Sequence, residues 1–263
     1  MKFRHVPARQ GAVWVRQGLR VFFRRPLAFG MLLFIYMFAG PLLMFTVAPL
    51  ATVGFMIATR QSLEGGFPFA TVFLQPLQAG RAQRWAQVRL GIAYAVGIGL
   101  VFWLADAVGG ASLDALREAV ATGRTAPEQL EPLLADPALQ WGWLILVAGI
   151  SLLAVPFWHA PALVHWGGLG AAKSLFFSTV ACWRNKGALL VFSLGWAALV
   201  VLFALLSNLL FALLGMPQLA FAVVTPAMLI VSAAFYASLY FSFADSFEWP
   251  ASAPPSDTVE ASR

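Results

Sequence analysis

Residues 187–244 read GALLVFSLGWAALVVLFALLSNLLFALLGMPQLAFAVVTPAMLIVSAAFYASLYFSFA and contain no Asp, Glu, Lys or Arg. A membrane-spanning helix needs about 20 apolar residues, so this stretch is too long for one helix and fits two. Gly215, Met216 and Pro217 lie near its middle and predict the turn between the two helices. A water-soluble domain cannot bury so much continuous apolar chain. We therefore predict a polytopic membrane protein.

The composition agrees with that class. Of the 263 residues, 60% are hydrophobic and 11% are charged, and the mean hydropathy is +0.79, which is typical of an integral membrane protein. The net charge of +6 does not indicate nucleic-acid binding, because the basic residues lie beside the apolar segments. Cys182 is the only cysteine, which excludes an internal disulfide and gives no indication of a cysteine metal site. We expect no cofactor.

The fold class that we predict is all-α, a polytopic membrane protein with six transmembrane helices and amphipathic interfacial helices on the cytoplasmic side. The six spans are expected at about residues 27–44, 46–60, 86–107, 140–160, 187–213 and 219–243. Gly40 and Pro41 break the first pair, and a re-entrant hairpin is the alternative to two full crossings there.

The segments outside the spans have distinct compositions. Residues 108–138 are acidic and are expected to form an outer loop, with a short helix capped by Ser112. A short interfacial helix is expected to cover about residues 70–84. Residues 246–263 are rich in Pro and Ser and are expected to be a disordered cytoplasmic tail.

Residues 1–25 form a basic segment without an acidic residue. Read as a helix from about residue 9, it is amphipathic, with arginines on one face and Val15, Leu19, Phe22 and Phe23 opposite. Such a helix lies in the headgroup layer with its apolar side chains in the membrane. Residues 170–186 are a second amphipathic element, with an apolar face opposite two serines. The basic residues expected to contact lipid headgroups are Arg9, Arg16, Arg20, Arg24, Arg25, Arg84, Lys173, Arg184 and Lys186.

The distribution of charge predicts the orientation. With the N-terminus in the cytoplasm and six crossings, 15 of the 17 Lys and Arg residues lie inside, and the acidic segment holds the other two. Both termini are then cytoplasmic. The order of amphipathic stretch, arginine and helical hairpin occurs three times, which indicates either a threefold repeat or the basic flank that any hairpin needs.

A few polar residues are candidates for chemistry within the spans. His159 and His165 are six residues apart and could line a polar cavity with Ser207 and Asn208, although interfacial packing and interhelical hydrogen bonds explain the same residues. Asp245 lies at a span end, where we expect it to be exposed. No acidic residue lies deep in a span, which argues against a transporter that couples to protons through carboxylates.

Several motifs are similar to a proteobacterial family of integral inner-membrane proteins of unknown function. These motifs are PARQG at 7–11, FFRRP at 22–26, FWHAPAL at 157–163, SLFFSTVACWRN at 174–185 and FYASLY at 235–240. The resemblance implies a bacterial inner-membrane protein and no particular activity. The layout also resembles, more loosely, the membrane domains fused to some glycerophosphodiester phosphodiesterases, but the chain contains no phosphodiesterase motif.

These observations favour a protein that is not an enzyme. We expect a structural or accessory protein that interacts with anionic membrane lipids, with a further copy of itself or with a membrane-protein partner. The alternative is a transporter or channel for a small or lipid-like solute. A lipid-modifying enzyme ranks last, because the sequence offers only His159, His165 and Cys182 as reactive groups near the interface.

Overall fold

The computed structural model describes residues 2–38, 41–123, 127–216 and 218–248, and within these ranges the fold is all-α. The first elements in chain order are β1 (Lys2–Phe3), α1 (Gln10–Arg24), α2 (Pro26–Met37), α3 (Pro41–Leu63), a 3-10 turn (Ala70–Phe73) and α4 (Gln75–Gln78). They are followed by α5 (Arg81–Ala121), α6 (Pro127–Leu134), α7 (Pro137–Phe157), α8 (Ala160–Gly167), α9 (Ala171–Arg184), α10 (Lys186–Leu213), α11 (Gln218–Ser246) and β2 (Phe247–Glu248).

Four helices in the described ranges are long and apolar enough to cross a membrane. They are α5, the combined segment Pro137–Gly167, α10 and the Pro226–Ser246 part of α11. The predicted turn between the last two lies between Leu213 and Gln218, and Gly215 has the positive φ of 70° that a turn glycine provides. The first predicted hairpin is divided differently from the sequence prediction, because α2 has only 12 residues and α3 begins at Pro41.

The helix α5 contradicts two predictions. It continues for 41 residues, about 60 Å, so the helix does not end near residue 107, and Ser112 lies within it instead of capping a separate short helix. Gly109 does not interrupt the helix, because it packs against α7, where a β-carbon would come within 2.8 Å of the Ala138 carbonyl oxygen. The interfacial helix predicted within 70–84 is also wrong, since the 3-10 turn and α4 have four residues each.

Helices α7 and α8 are one apolar segment with a break. α7 begins with Asp136, whose carboxylate accepts the Ala138 N–H at 2.9 Å, and ends at Phe157 after Pro156. α8 begins at Ala160 and ends at Gly168, which has a φ of 63°. Proline removes a backbone donor and clashes with the preceding turn, which explains the interruption.

The N-terminal segment packs onto the last two helices. α1 contacts α10 and α11 through two glycines: a β-carbon on Gly11 would lie 2.1 Å from the Ala188 carbonyl oxygen, and one on Gly18 would lie 2.3 Å from Ser238 Cβ. The strands β1 and β2 pair antiparallel, with Lys2 opposite Glu248. Residues 246–248 are therefore ordered structure, contrary to the predicted tail, while the remainder of that predicted tail lies outside the described residues.

Different segments of the chain meet at the two ends of the bundle. The terminal end is where residues 2–24, 185 and 245–248 meet, and the far end is where the C-terminal part of α5 meets the start of α7. The largest buried aromatic side chains, Trp14, Phe29, Phe55, Phe192 and Phe247, form one core that includes the terminal end.

Candidate functional site

The side chain of Asn185 joins three parts of the chain at the terminal end. It lies between α9 and α10 and is 2% exposed. Its Oδ1 accepts the Val6 N–H at 3.0 Å, and its Nδ2 donates to the Arg4 carbonyl oxygen at 3.2 Å and to Ser246 Oγ at 3.1 Å. One amide therefore joins the N-terminal strand, the start of α10 and the end of α11. These hydrogen bonds contribute to stability, because a buried amide without partners costs free energy.

A second polar junction joins α1 to α11. The Oδ2 atom of Asp245 accepts hydrogen bonds from Trp14 Nε1 at 2.7 Å and from Gln10 Nε2 at 2.9 Å. The expectation that Asp245 is exposed is wrong, because it is half-buried against α1. Trp14 is completely buried, so this contact fixes the side of α1 that faces the protein.

The arginine face of α1 is exposed, as its helical spacing predicts. Arg9, Arg16, Arg20 and Arg24 are all exposed. The opposite face, however, packs on protein and not in lipid: Val15, Val21 and Phe22 are buried against the bundle. Phe23 departs from the predicted face and is 67% exposed, next to the arginines.

The other basic residues singled out by the sequence surround the same end. Arg25 is half-buried and donates from Nη2 to the Gly65 carbonyl oxygen at 3.1 Å. The guanidinium of Arg184 lies 5.6 Å from the Phe3 ring, and the Lys186 ammonium lies 4.8 Å from the Trp183 ring. Arg84 and Lys173 are exposed, on α5 and α9 respectively.

The faces of α9 explain how it is held. Ser174 and Ser178 are buried against the neighbouring helices, and the apolar side chains Phe176 and Trp183 point outward. Small hydroxyl side chains allow helices to approach closely, and exposed aromatic rings are typical of a membrane–water interface. Phe23 and Trp85 are further exposed aromatic residues on this side of the bundle.

Ser178 bridges the break between α7 and α8. Its hydroxyl accepts the His159 N–H at 3.0 Å and donates to the Val155 carbonyl oxygen at 3.1 Å, replacing the helical bond that would join those two groups. Gln87 Nε2 similarly donates to the Pro161 carbonyl oxygen at 2.8 Å. Cys182 lies beside this bridge, with Sγ 3.5 Å from the Val155 carbonyl oxygen, and burial raises the pKa of its thiol to about 12. The thiolate is therefore strongly disfavoured.

The two histidines occupy different environments. His159 is 1% exposed, and its ring packs on Phe247 at 5.4 Å and on Phe243 at 6.0 Å. His165 is half-buried, and its ring lies 5.2 Å from that of Trp166.

The predicted polar cavity does not bring its four residues together. Ser207 lies 21 residues beyond Lys186 on α10, about 30 Å along the helix from the terminal end, where His159 lies. Asn208 is exposed and donates only to the Ala204 carbonyl oxygen of its own helix. Within the described part of the chain, no group of three or more His, Cys, Asp and Glu side chains could hold a metal ion.

Sequence reasoning missed the residues that organise the terminal end. Asn185 and Gln87 received no predicted role, and Ser178 was predicted only to lie on the polar face of an amphipathic helix, although all three are buried. The signal that could have found them is the scarcity of amides in so apolar a chain, because a buried amide needs several partners.

Long apolar helices and a basic surface at one end define a helical membrane protein. The chain is 32% identical over 258 residues to a probable inner membrane protein of Burkholderia thailandensis, and the match covers 94% of each chain. It belongs to the family of that protein, which confirms the resemblance to a proteobacterial inner-membrane family. No family model matches the chain, and no solved structure matches it.

Proposed function

We propose that the terminal end of the bundle faces the cytoplasm and that both termini lie on that side. The support is the charge distribution along the sequence, in which 15 of the 17 basic residues belong to the segments predicted to be cytoplasmic. Arg117, one of the other two, lies in the part of α5 that extends toward the far end. In this arrangement α5, α7, α10 and α11 each cross the inner membrane.

The number of membrane crossings, six or four, depends on whether the first hairpin, formed by α2 and α3, spans the membrane. α2 is about 18 Å long, which is shorter than a hydrocarbon layer of about 30 Å. The Arg25–Gly65 hydrogen bond places the start of α2 close to the end of α3, so both ends of the hairpin lie on one side. We favour the re-entrant form, which gives the same sidedness as two crossings. The threefold repeat stays a prediction, since its interfacial elements would be α1, the short α4 and α9, of 15, 4 and 14 residues.

The protein's role, in our proposal, is that of a non-enzymatic accessory protein that binds anionic phospholipid headgroups. One observation carries the proposal: α1 uses its apolar face to dock on α10 and α11, and its arginines then face outward as a fixed row. A free amphipathic helix must fold as it binds the membrane, whereas this one is already ordered by the protein. A homo-oligomer or a membrane-protein partner stays a prediction.

The magnitude of the effect can be calculated from the charges. Each Lys or Arg near an anionic surface contributes about 1 kcal/mol, so four arginines contribute about 4 kcal/mol, close to a thousandfold in affinity. Salt weakens the interaction because the arginines are exposed.

The test is lipid-dependent stability of the purified protein. The thermal unfolding midpoint would be measured in neutral detergent with added phosphatidylglycerol or phosphatidylcholine. We expect phosphatidylglycerol alone to raise the midpoint, and the variant Arg16→Gln/Arg20→Gln to need more than ten times as much of it. The control variant Arg117→Gln/Arg124→Gln loses the same charge from the acidic segment and should respond as the natural protein does. Equal responses of both variants, or an equal effect of phosphatidylcholine, would reject the proposal.

The break between α7 and α8 favours a second candidate, a transporter for a small or lipid-like solute. Interrupted helices in transporters expose backbone groups to substrates, and here Ser178 holds two such groups. The test is a His159→Cys substitution in a Cys182→Ser background. Labelling by a membrane-impermeant thiol reagent from both sides, dependent on an added solute, would favour transport. No labelling in any condition would agree with the packed site and with the accessory role.

A further inference from the structure

An aromatic cavity of about 180 Å³ lies where α3, α5, α7 and α11 meet. Its walls include the rings of Tyr94, Phe157, Trp158, Phe235 and Tyr236. The other residues that line it are Ala48, Pro49, Thr52, Ala154 and Leu239. All ten lining side chains are uncharged, so a ligand that carries a net charge would be costly to bind there.

Tyrosines from three helices lie at or next to this cavity. Tyr36 of α2 and Tyr236 of α11 have ring centroids 6.1 Å apart and meet edge to face. Tyr94 of α5 lines the cavity together with Tyr236. The chain has only four tyrosines, so three of them meet at one place in an otherwise apolar bundle. A phenol in such surroundings needs an acceptor for its proton.

Tyr94 has the hydroxyl best suited to a ligand. Tyr94 is half-buried, and its hydroxyl makes no hydrogen bond to any residue in the described ranges. Its ring is fixed by an edge contact with Phe157 at 5.1 Å between centroids. The cavity therefore presents a positioned donor without a protein acceptor.

The cavity opens toward the outside of the bundle. Ala48, Thr52 and Ala154 line it and are each half-exposed, on α3 and α7. In a membrane this opening faces lipid, so a ligand can enter from the bilayer with a long apolar tail left outside. The aromatic ring of Tyr236 is held at the back of the cavity by a stacked contact with Phe55 at 4.8 Å.

We propose that this cavity binds the ring of a lipid-soluble quinone. A quinone is neutral and planar, its carbonyl oxygens accept hydrogen bonds from phenols, and its ring packs against aromatic walls. The volume equals that of about six waters, which suits one substituted six-membered ring. The inference concerns binding alone and does not depend on the basic surface of α1, which lies elsewhere on the molecule.

Other occupants differ in what they require of Tyr94. A phospholipid acyl chain would fill the cavity without a hydrogen-bond donor. Water would need several polar partners in a cavity that is mostly aromatic. Binding of a quinone therefore depends on the phenol, whereas binding of an acyl chain does not.

The test is quenching of tryptophan fluorescence by a short-tailed ubiquinone, since Trp158 lines the cavity. The natural protein in phosphatidylcholine nanodiscs should show saturable quenching. Tyr94→Phe should weaken binding about tenfold, because it removes one hydrogen bond and keeps the ring. Ala154→Leu should abolish binding by filling the cavity. Tyr240→Phe is the matched control on α11; Tyr240 lies outside the cavity beside Trp166, and its removal should leave the affinity unchanged.

Two results would overturn the inference. Quenching that is unsaturable, or equal in all four proteins, would mean that the quinone only partitions into the bilayer. Saturable binding that Ala154→Leu abolishes and Tyr94→Phe leaves intact would identify an acyl-chain site instead. The thermal unfolding midpoint of each variant without ligand is the control for folding. Tyr94→Phe keeps the ring and is expected to leave that midpoint unchanged.

Discussion

The terminal end of the bundle and the outer end of α10 are held by different kinds of contact. At the terminal end, polar side chains bond to other elements: Asn185 reaches the N-terminal strand and α11, and Asp245 reaches α1. Toward the far end of α10, Asn208 bonds only to its own helix. α10 is largely exposed there, with Leu205, Leu209 and Leu213 all more than half exposed.

The environment of each end explains the difference. An apolar helix surface is stable in lipid and needs no protein partner, so the outer part of α10 can expose its leucines. The terminal end instead contains the N-terminal strand, residues 245–248, the break between α7 and α8 and the basic face of α1. Backbone groups outside helices need hydrogen-bond partners there. Substitutions at the terminal end should therefore cost far more stability than matched ones elsewhere.

The largest effect is expected from Gly11→Ala. A β-carbon there would come within 2.1 Å of the Ala188 carbonyl oxygen, and because backbone cannot move aside, α1 must shift away from α10. We expect a loss of about 3 kcal/mol. The control is Gly99→Ala on α5, where nothing lies within 4 Å and the substitution should be neutral or slightly stabilising. Thermal unfolding in detergent measures both, and equal midpoints would contradict the packing of α1.

A smaller loss is expected from Asn185→Ala. The substitution leaves the Val6 N–H, the Arg4 carbonyl and Ser246 without their partner, at a cost of about 2 kcal/mol. Asn208→Ala is the matched control and should change stability by less than about 0.5 kcal/mol, since its partner lies on the same helix and both are accessible. Faster protease cleavage of the N-terminal segment should accompany the first substitution alone.

Trp14→Phe tests the polar junction between α1 and Asp245. It should lower the free energy of unfolding by about 1 kcal/mol, in addition to what the smaller ring loses in packing. The phenyl ring cannot donate to Asp245, which keeps only Gln10 as a partner. A double-mutant cycle with Asp245→Ala, which removes the acceptor, isolates this contact. A coupling free energy of zero would mean that the indole and the carboxylate do not interact.

The smallest effect is expected at the far end, from Ser112→Ala. The Ser112 hydroxyl, followed by the Ala138 N–H, lowers the pKa of the Asp136 carboxyl below its usual value of about 4. A lowered folded-state pKa adds stability above the unfolded pKa, and this stability is lost as pH falls through the folded pKa. The variant should therefore unfold slightly more easily at neutral pH, with the difference disappearing in acid. A pH series of unfolding midpoints measures this, and a constant difference would rule out the linkage.

The sequence predicted the features that depend on composition and period. The absence of charged residues from 187–244 was enough to predict α10, α11 and the turn between them. The spacing of Arg9, Arg16, Arg20 and Arg24 was enough to predict the exposed face of α1. Short motifs along the chain were enough to predict that it belongs to a family of inner-membrane proteins.

The features that depend on tertiary contacts were not predictable in the same way. The apolar face of α1 has the same pattern whether it meets lipid or protein, and only Gly11 and Gly18 indicate close packing against another helix. Gly109 resembles a helix terminator until its contact with α7 is known. The candidate polar residues His159 and Asn208 are far apart because α10 carries Asn208 toward the other end of the bundle.

The sidedness of the two ends is the central claim of this account, and thiol labelling tests it most directly. Single cysteines at Arg16 and Ala121, each in a Cys182→Ser background, would be exposed to a membrane-impermeant reagent in intact cells and in inverted inner-membrane vesicles. If the terminal end is cytoplasmic, position 16 is labelled only in the inverted vesicles and position 121 only in intact cells. Labelling of both positions from the same side, or of position 16 in intact cells, would contradict it.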